Sequence, residues 1–217
     1  MIEMMTFASR EEWLKNRMNG IGGSEISAVV GQNPYMTNVE LWELKTGRRT
    51  AEDISDKPYV KYGQQAERHI RGLFRLDNPQ YDVKYVDNNS WQNSRYPWAL
   101  ASLDGWMNDA AGRMGILEIK TTEIQNPAQW VNWKNQIPQN YFCQCLFYMA
   151  ILNADFCILT AQIKYTDKDG NIVKTVRQYP MTRKEHEADI EYLMEKGAEF
   201  WEYVKADKRP PLILPGI

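Results

Sequence analysis

The residues best equipped for chemistry lie in two short stretches, "ASLDG" at 101–105 and "GILEIKTT" at 115–122. In an extended strand alternate side chains share a face, so Glu118 and Lys120 point the same way among Ile116, Leu117 and Ile119. Asp104 lies upstream, with room for a loop between two adjacent strands. Such strands would bring both carboxylates to one end of a sheet. Carboxylates held that close repel one another unless positive charge sits between them. Mg²⁺ supplies it economically: it takes oxygen ligands, keeps several waters, and binds through one or two carboxylates plus substrate phosphate. A lysine beside it can position a water and stabilise its deprotonated form, while the metal offsets charge on a phosphodiester under attack. Glu and Lys two apart on an exposed strand edge are also common without any function. Asp104 is what gives the pair its weight.

The rest of the composition narrows the chemistry. His69 and His186 are the two histidines among 217 residues, too few for a zinc site and poorly placed for a nucleophile triad. Cys143, Cys145 and Cys157 form no CxxC pair and are expected to pack as small hydrophobes in a reducing cytoplasm. Formal net charge is −2, so a nucleic-acid partner would need a local basic stripe or an oligomeric channel. No apolar run is long enough to span a bilayer, and "MIEMMTFASREEW" lacks a secretory pattern, so a cytoplasmic location is expected.

The elements that must position these groups can be read coarsely. The first sixty residues read as helical: "SREEWLKNRM" behind Ser9 as N-cap, a short helix entered at Ser24 and stopped at Gly31, then "NVELWELKTG" stopped at Gly47. "YVKYGQQAERHIRGLFRL" predicts a longer helix with Ala66, Ile70, Leu73 and Phe74 on one side. "YDVKYV", "RYPWALAS" and "RMGILEIK" read as strands separated by turn-rich "DNNS" and "DGWMNDAAG". "NPAQWVNWKNQ" predicts a short helix, and "IPQNYFCQCLFYMAILN" a strong one with Pro138 in its first turn. A hairpin around "DKDG" and a last amphipathic helix with a proline-rich tail follow. The fold class is α/β (α+β), a central mixed β-sheet flanked by helices behind a helical N-terminal region. The expected organisation is one domain over 1–217: mainly helical at 1–78, sheet core at 79–180, helix and tail at 181–217.

Three further groups invite function. Ser24 follows two glycines at a predicted helix start, where free N–H groups favour an anion, and Arg17 can bind phosphate bidentately. Gln144, Tyr148 and Tyr141 share one side of a helix, with Phe142, Leu146 and Met149 as the apolar stripe beside them. This polar flank either lines a site or merely edges a core helix. Trp91, Trp98, Trp106, Trp130 and Trp133 offer stacking surfaces for bases, and Arg48–Arg49, Lys57, Lys61 and Arg68–Arg71–Arg75 could track a phosphate backbone.

"SLDG" followed by "LEIK" resembles the PD-(D/E)xK nuclease signature, with Leu103 where that family often has proline. "RMNGIGGSE", "YGQQAE" and "QCLFY" are similar to segments of a narrower group, the phage lambda exonuclease and YqaJ-type viral recombinases. The resemblance implies a restriction-endonuclease-like core and a Mg²⁺-dependent exonuclease digesting one strand of linear duplex DNA from its 5′ end. By position it implies Asp104, Glu118 and the Ile119 carbonyl as metal ligands, Lys120 acting on the attacking water, and Glu67 supporting a second metal or its waters. Gln144 would touch substrate or Lys120, with Tyr148 beside it, and Arg17, Ser24 and Ser102 would hold the terminal phosphate. The implied partners are DNA ends, a homotrimeric ring and a single-strand annealing protein, with Mn²⁺ a substitute cofactor. There are departures: Asn93 and Ser94 stand where the family carries a further acid, and Leu146 where it has a second glutamine. Alternatives are a same-fold endonuclease or single-strand nuclease, and a non-catalytic DNA-end-binding protein on a nuclease fold.

Overall fold

A computed structural model describes residues 1–214. Its elements form two four-stranded mixed sheets, where the sequence suggested one. The first sheet has the order β1-β3-β4-β2, from β1 (Ile2–Thr6), β2 (Ile21–Gly22), β3 (Asn89–Asn93) and β4 (Tyr96–Ala101). The second has the order β5-β6-β7-β8, from β5 (Gly105–Asn108), β6 (Met114–Ile124), β7 (Phe156–Thr166) and β8 (Ile172–Thr182). Each contains one parallel pair, β2–β4 and β6–β7, and is otherwise antiparallel. The chain crosses from one sheet to the other at Ser102–Asp104, between β4 and β5.

The helices are α1 (Arg10–Arg17), α2 (Gly23–Val29), α3 (Asn38–Lys45), α4 (Pro58–Asp77), α5 (Gln139–Leu152) and α6 (Glu187–Lys205). α5 is the hub. Every residue from Cys143 to Leu152 is buried, as expected of a helix apolar on all sides, and it joins β6 to the parallel β7. Pro138 flanks this helix as its cap, one residue before the first turn. Asn153 ends it in the left-handed region at φ 50°, which asparagine tolerates well. The three cysteines are buried and free, and burial pushes the Cys143 thiol up to about 12, as suits an inert packing residue.

Four expectations need correction. β1 adds a strand to the N-terminal part that was read as helical, held by its ladder to β3. β3 and β5 fall in the segments read as turns, since their polar residues carry no alternation and pairing alone makes them strands. "YDVKYV" makes only one isolated bridge, Lys84 to Trp106. Its Val83 and Tyr81 still pack inward, with Ile70, Phe74, Leu117 and Phe156. Leu73 on α4 is exposed rather than sharing the face of Ile70 and Phe74. In addition, part of the proline-rich tail, residues 215–217, lies outside the described residues.

Candidate active site

The sheet crossover places the carboxylates. β5 and β6 form an antiparallel pair in which Gly105 lies opposite Leu117, so Asp104 arrives beside Glu118. The Ile119 N–H donates to Asp104 Oδ2 at 2.7 Å. Lys120 Nζ donates to Glu118 Oε1 at 2.5 Å, and Gln144 Nε2 donates to the same oxygen at 2.8 Å. Gln144 also donates to the Tyr148 hydroxyl at 3.1 Å. Gln144 therefore faces the acids, with Tyr148 bonded behind it. Gln144 meets Glu118 directly.

Glu118 is 2% exposed, and its second oxygen, Oε2, is buried and receives no hydrogen bond from the described residues. A buried carboxylate oxygen without a partner is costly. Burial, then the Asp104 carboxylate, push the Glu118 pKa up to about 8 despite Lys120. Burial and Asp104 likewise push Glu67 up to about 7, against the pull of Arg71. Burial raises Asp104 as well. For Lys120 burial favours the neutral amine, but Glu118 and Asp104 outweigh it and hold the pKa above that of a free lysine. Lys120 stays an ammonium, with the Tyr141 ring 5.0 Å from its nitrogen.

These residues line one cavity of about 590 Å³ that also takes in Glu67, Ile119, Arg17, Ser24 and Ser102. The residues assigned by resemblance to the metal, the water, the substrate and the terminal phosphate all line it. The donor set suits a hard cation: two carboxylates, one of them with an unpartnered oxygen, and a backbone carbonyl position at Ile119, with room for waters. Among the described residues no three His, Cys, Asp or Glu side chains gather closely enough to hold a metal unaided. Such a site therefore needs water or phosphate to complete it. Glu67 is engaged by Arg71, four residues on along α4.

The other end of the cavity is basic. Arg17 Nη2 donates to Ser24 Oγ at 3.1 Å, and Arg17 lies over the Trp13 ring at 5.1 Å. α2 starts at Gly23 with Gly22 as its cap, so the exposed Ser24 sits inside the first turn. A Cβ on Gly23 would run into the Tyr148 ring, so glycine there lets α2 close onto α5. Below, the ammonium of Lys45, 2% exposed, meets Glu25 Oε2 at 2.8 Å and donates to the Arg17 carbonyl at 2.8 Å. Ser102 Oγ accepts from Trp13 Nε1 at 3.1 Å.

Other expectations fail here. None of Trp91, Trp98, Trp106, Trp130 and Trp133 lines the cavity. Trp91 and Trp106 pack edge to face, Trp98 meets Phe147, Trp130 meets Tyr165, and Trp133 contacts Tyr141 and Tyr179. Among the described residues the tryptophan that does line it is Trp13, on α1. Most of the basic groups are occupied within the chain. Arg48 pairs with Asp207, Arg49 with Glu40 and Glu43, Lys57 with Glu52, and Lys61 with Asp56. Arg75 donates to the Val83 carbonyl, and Arg71 is buried. Sequence reasoning also missed Asn89, which holds the crossover by accepting from Leu103 N–H and donating to the Leu103 carbonyl, both at 2.9 Å. In the sequence it belongs to an ordinary turn-rich "DNNS", which carries no signal of this role.

Residues 12–168 match the family model of the YqaJ-like viral recombinase domain. The chain is 32% identical over 151 residues to the uncharacterized protein YqaJ of Bacillus subtilis. That alignment covers 68% of this chain and 44% of the relative, so the chain spans less than half of that protein. In structure it is similar to the alkaline exonuclease LHK-Exo of Laribacter hongkongensis, with TM-score 0.62, 18% identity, and 91% and 93% of the two chains covered. LHK-Exo in complex with dAMP gives TM-score 0.56 at 18% identity over 92% and 96%. A phage related exonuclease from Haemophilus somnus 129PT gives 0.51 at 12% identity over 87% and 96%. At these identities the structural likeness shows a shared fold. Among the described residues no helix is long and apolar enough to cross a membrane.

Proposed function

The chain belongs to the YqaJ-like viral recombinase domain family, and on that premise we propose that it is a Mg²⁺-dependent deoxyribonuclease that digests one strand of linear duplex DNA from the 5′ end during phage-type recombination. The observation that carries this reading is the unpartnered Oε2 of buried Glu118, a residue that lines the same cavity as Asp104 and Lys120. Asp104, Glu118 and the Ile119 carbonyl would hold the ion, with Glu67 beside them and Mn²⁺ an alternative occupant. The ion would supply Lewis-acid stabilisation of the charge that builds on the phosphate.

The chain's own groups divide the remaining work. Lys120, held as an ammonium, would donate to the attacking water and stabilise it as hydroxide while the proton passes to solvent; it is a donor and not the base. Gln144 holds Glu118 through Oε1, while Oε2 has no hydrogen-bond partner among the described residues. Arg17 and Ser24, with Ser102 joined to them through Trp13, form the acceptor site for a terminal 5′-phosphate, where a guanidinium and hydroxyls suit an anion. In this reading the protein works in the cytoplasm as a homotrimeric ring with a single-strand annealing protein, so that only a channel need be positive while net charge stays at −2.

The test uses linear duplex DNA labelled at each 3′ end, with a 5′-phosphate or 5′-hydroxyl, beside a closed circle, in Mg²⁺ or EDTA. Metal-dependent loss from 5′-phosphorylated ends with circles spared is expected. Cutting of circles would keep the acidic cluster but replace end recognition with an endonuclease. No cutting with either Mg²⁺ or Mn²⁺ would leave a DNA-end-binding protein.

A further inference from the structure

Arg71 is the buried cation that the proposed chemistry leaves unused. It lies on α4 and is 6% exposed, so it cannot track a DNA backbone. Its Nε donates to the backbone carbonyl of Asp104 at 2.6 Å. Its Nη2 is paired with Glu67 Oε1, and its guanidinium carbon lies 3.4 Å from the centre of the Tyr85 ring. The Ile119 N–H meanwhile holds the Asp104 carboxylate. Asp104 is thus fixed at its backbone by one partner and at its side chain by another.

A guanidinium carries five donors in a rigid plane, and stacking on an aromatic face sets the orientation of that plane. Lysine offers a single point charge on a flexible stem and reproduces neither property. A fork with one arm on Asp104 and another on Glu67 sets the spacing of two acids that come from different elements, α4 and the β4–β5 crossover. Among the described residues Arg71 is the side chain that bonds to both Asp104 and Glu67.

We propose that Arg71 is the positioning residue of the acidic site, clamping the Asp104 backbone and the Glu67 carboxylate in one fork so that a divalent cation meets carboxylates already aligned. This rests on the metal-binding reading given above. It also makes a distinctive claim about sign. A buried cation that acted only through its charge would compete with a metal ion, and removing it would tighten metal binding. A positioning residue does the reverse, because partners that orient metal ligands contribute about 10–100-fold in affinity.

The experiment measures Mn²⁺ binding to the wild-type chain, Arg71→Met and Arg71→Lys by the electron paramagnetic resonance signal of free Mn²⁺. Near-ultraviolet circular dichroism and melting in EDTA check the fold of each. Both variants are expected to bind Mn²⁺ at least tenfold more weakly than wild type. Binding by Arg71→Met that equals or exceeds wild type would overturn the positioning role, as would wild-type affinity in Arg71→Lys. If Arg71→Met fails to fold, Arg71→Lys, which keeps the charge, decides alone. A wild-type chain that binds no Mn²⁺ would instead overturn the metal site itself, and Arg71's part in it.

Discussion

In EDTA the stability of this protein is expected to fall as pH rises from 5.5 to 8.5. Glu118 has a folded pKa of about 8 and Glu67 of about 7, against 4.5 for an ordinary glutamate. Between those values the folded chain binds more protons than the unfolded one, so rising pH favours unfolding. The stability is fully present below about pH 4.5 and is lost as pH climbs through the folded pKa values. One differential proton gives a slope of about 1.4 kcal/mol per pH unit. Glu118 alone spans most of the window, for a loss on the order of 3 kcal/mol. For a chain of this length that is a fall in Tm of about 10 °C. The carboxylates held below their usual range, among them Asp53, Asp109 and Asp167, lose stability only in acid and stay clear of this window. Urea melts at four pH values, each with EDTA or Mg²⁺, measure the slope. Mg²⁺ favours the ionised carboxylates and should flatten it. Glu118→Gln should flatten it in EDTA by removing that proton. A stability in EDTA that is constant or rises over this range would refute the reasoning, as would a slope that Glu118→Gln leaves intact.

Three other perturbations follow from single contacts. Gly23→Ala puts a methyl against the Tyr148 ring, and a destabilisation of about 1–3 kcal/mol is expected from overpacking, read by urea denaturation. Lys45→Ala leaves Glu25 without its buried partner beneath the Arg17 pocket, at a cost of about 3 kcal/mol. The same variant should lose the preference for 5′-phosphorylated over 5′-hydroxyl ends, read in the digestion assay. Asn89→Ala removes both hydrogen bonds that hold Leu103 and leaves buried backbone groups unpaired, costing about 2–4 kcal/mol. Cleavage should fall even at temperatures where circular dichroism finds the variant folded, because Asp104 follows Leu103 directly.

The sequence by itself determined the local periodicities that group the candidate residues. Glu118 and Lys120 share a strand face because side chains alternate along any strand, and Gln144 and Tyr148 share a helix face because four residues nearly complete a turn. Those periodicities are local, so they survived into the structure, as did the Ser9 cap of α1 and the stops at Gly31 and Gly47. What only the tertiary structure decided was every fact that depends on partners far along the chain. β3, with the sequence NSWQN, is a strand because β1 and β4 pair with it. Arg71 looks like any basic residue of an amphipathic helix until the β4–β5 crossover brings the Asp104 carbonyl to its guanidinium. Trp13 enters the cavity while five other tryptophans pack elsewhere, because orientation is set by what each ring meets. The unpartnered oxygen of Glu118 is of the same kind. Side-chain type gives the carboxylate, but only packing buries Oε2 away from every hydrogen-bond donor among the described residues.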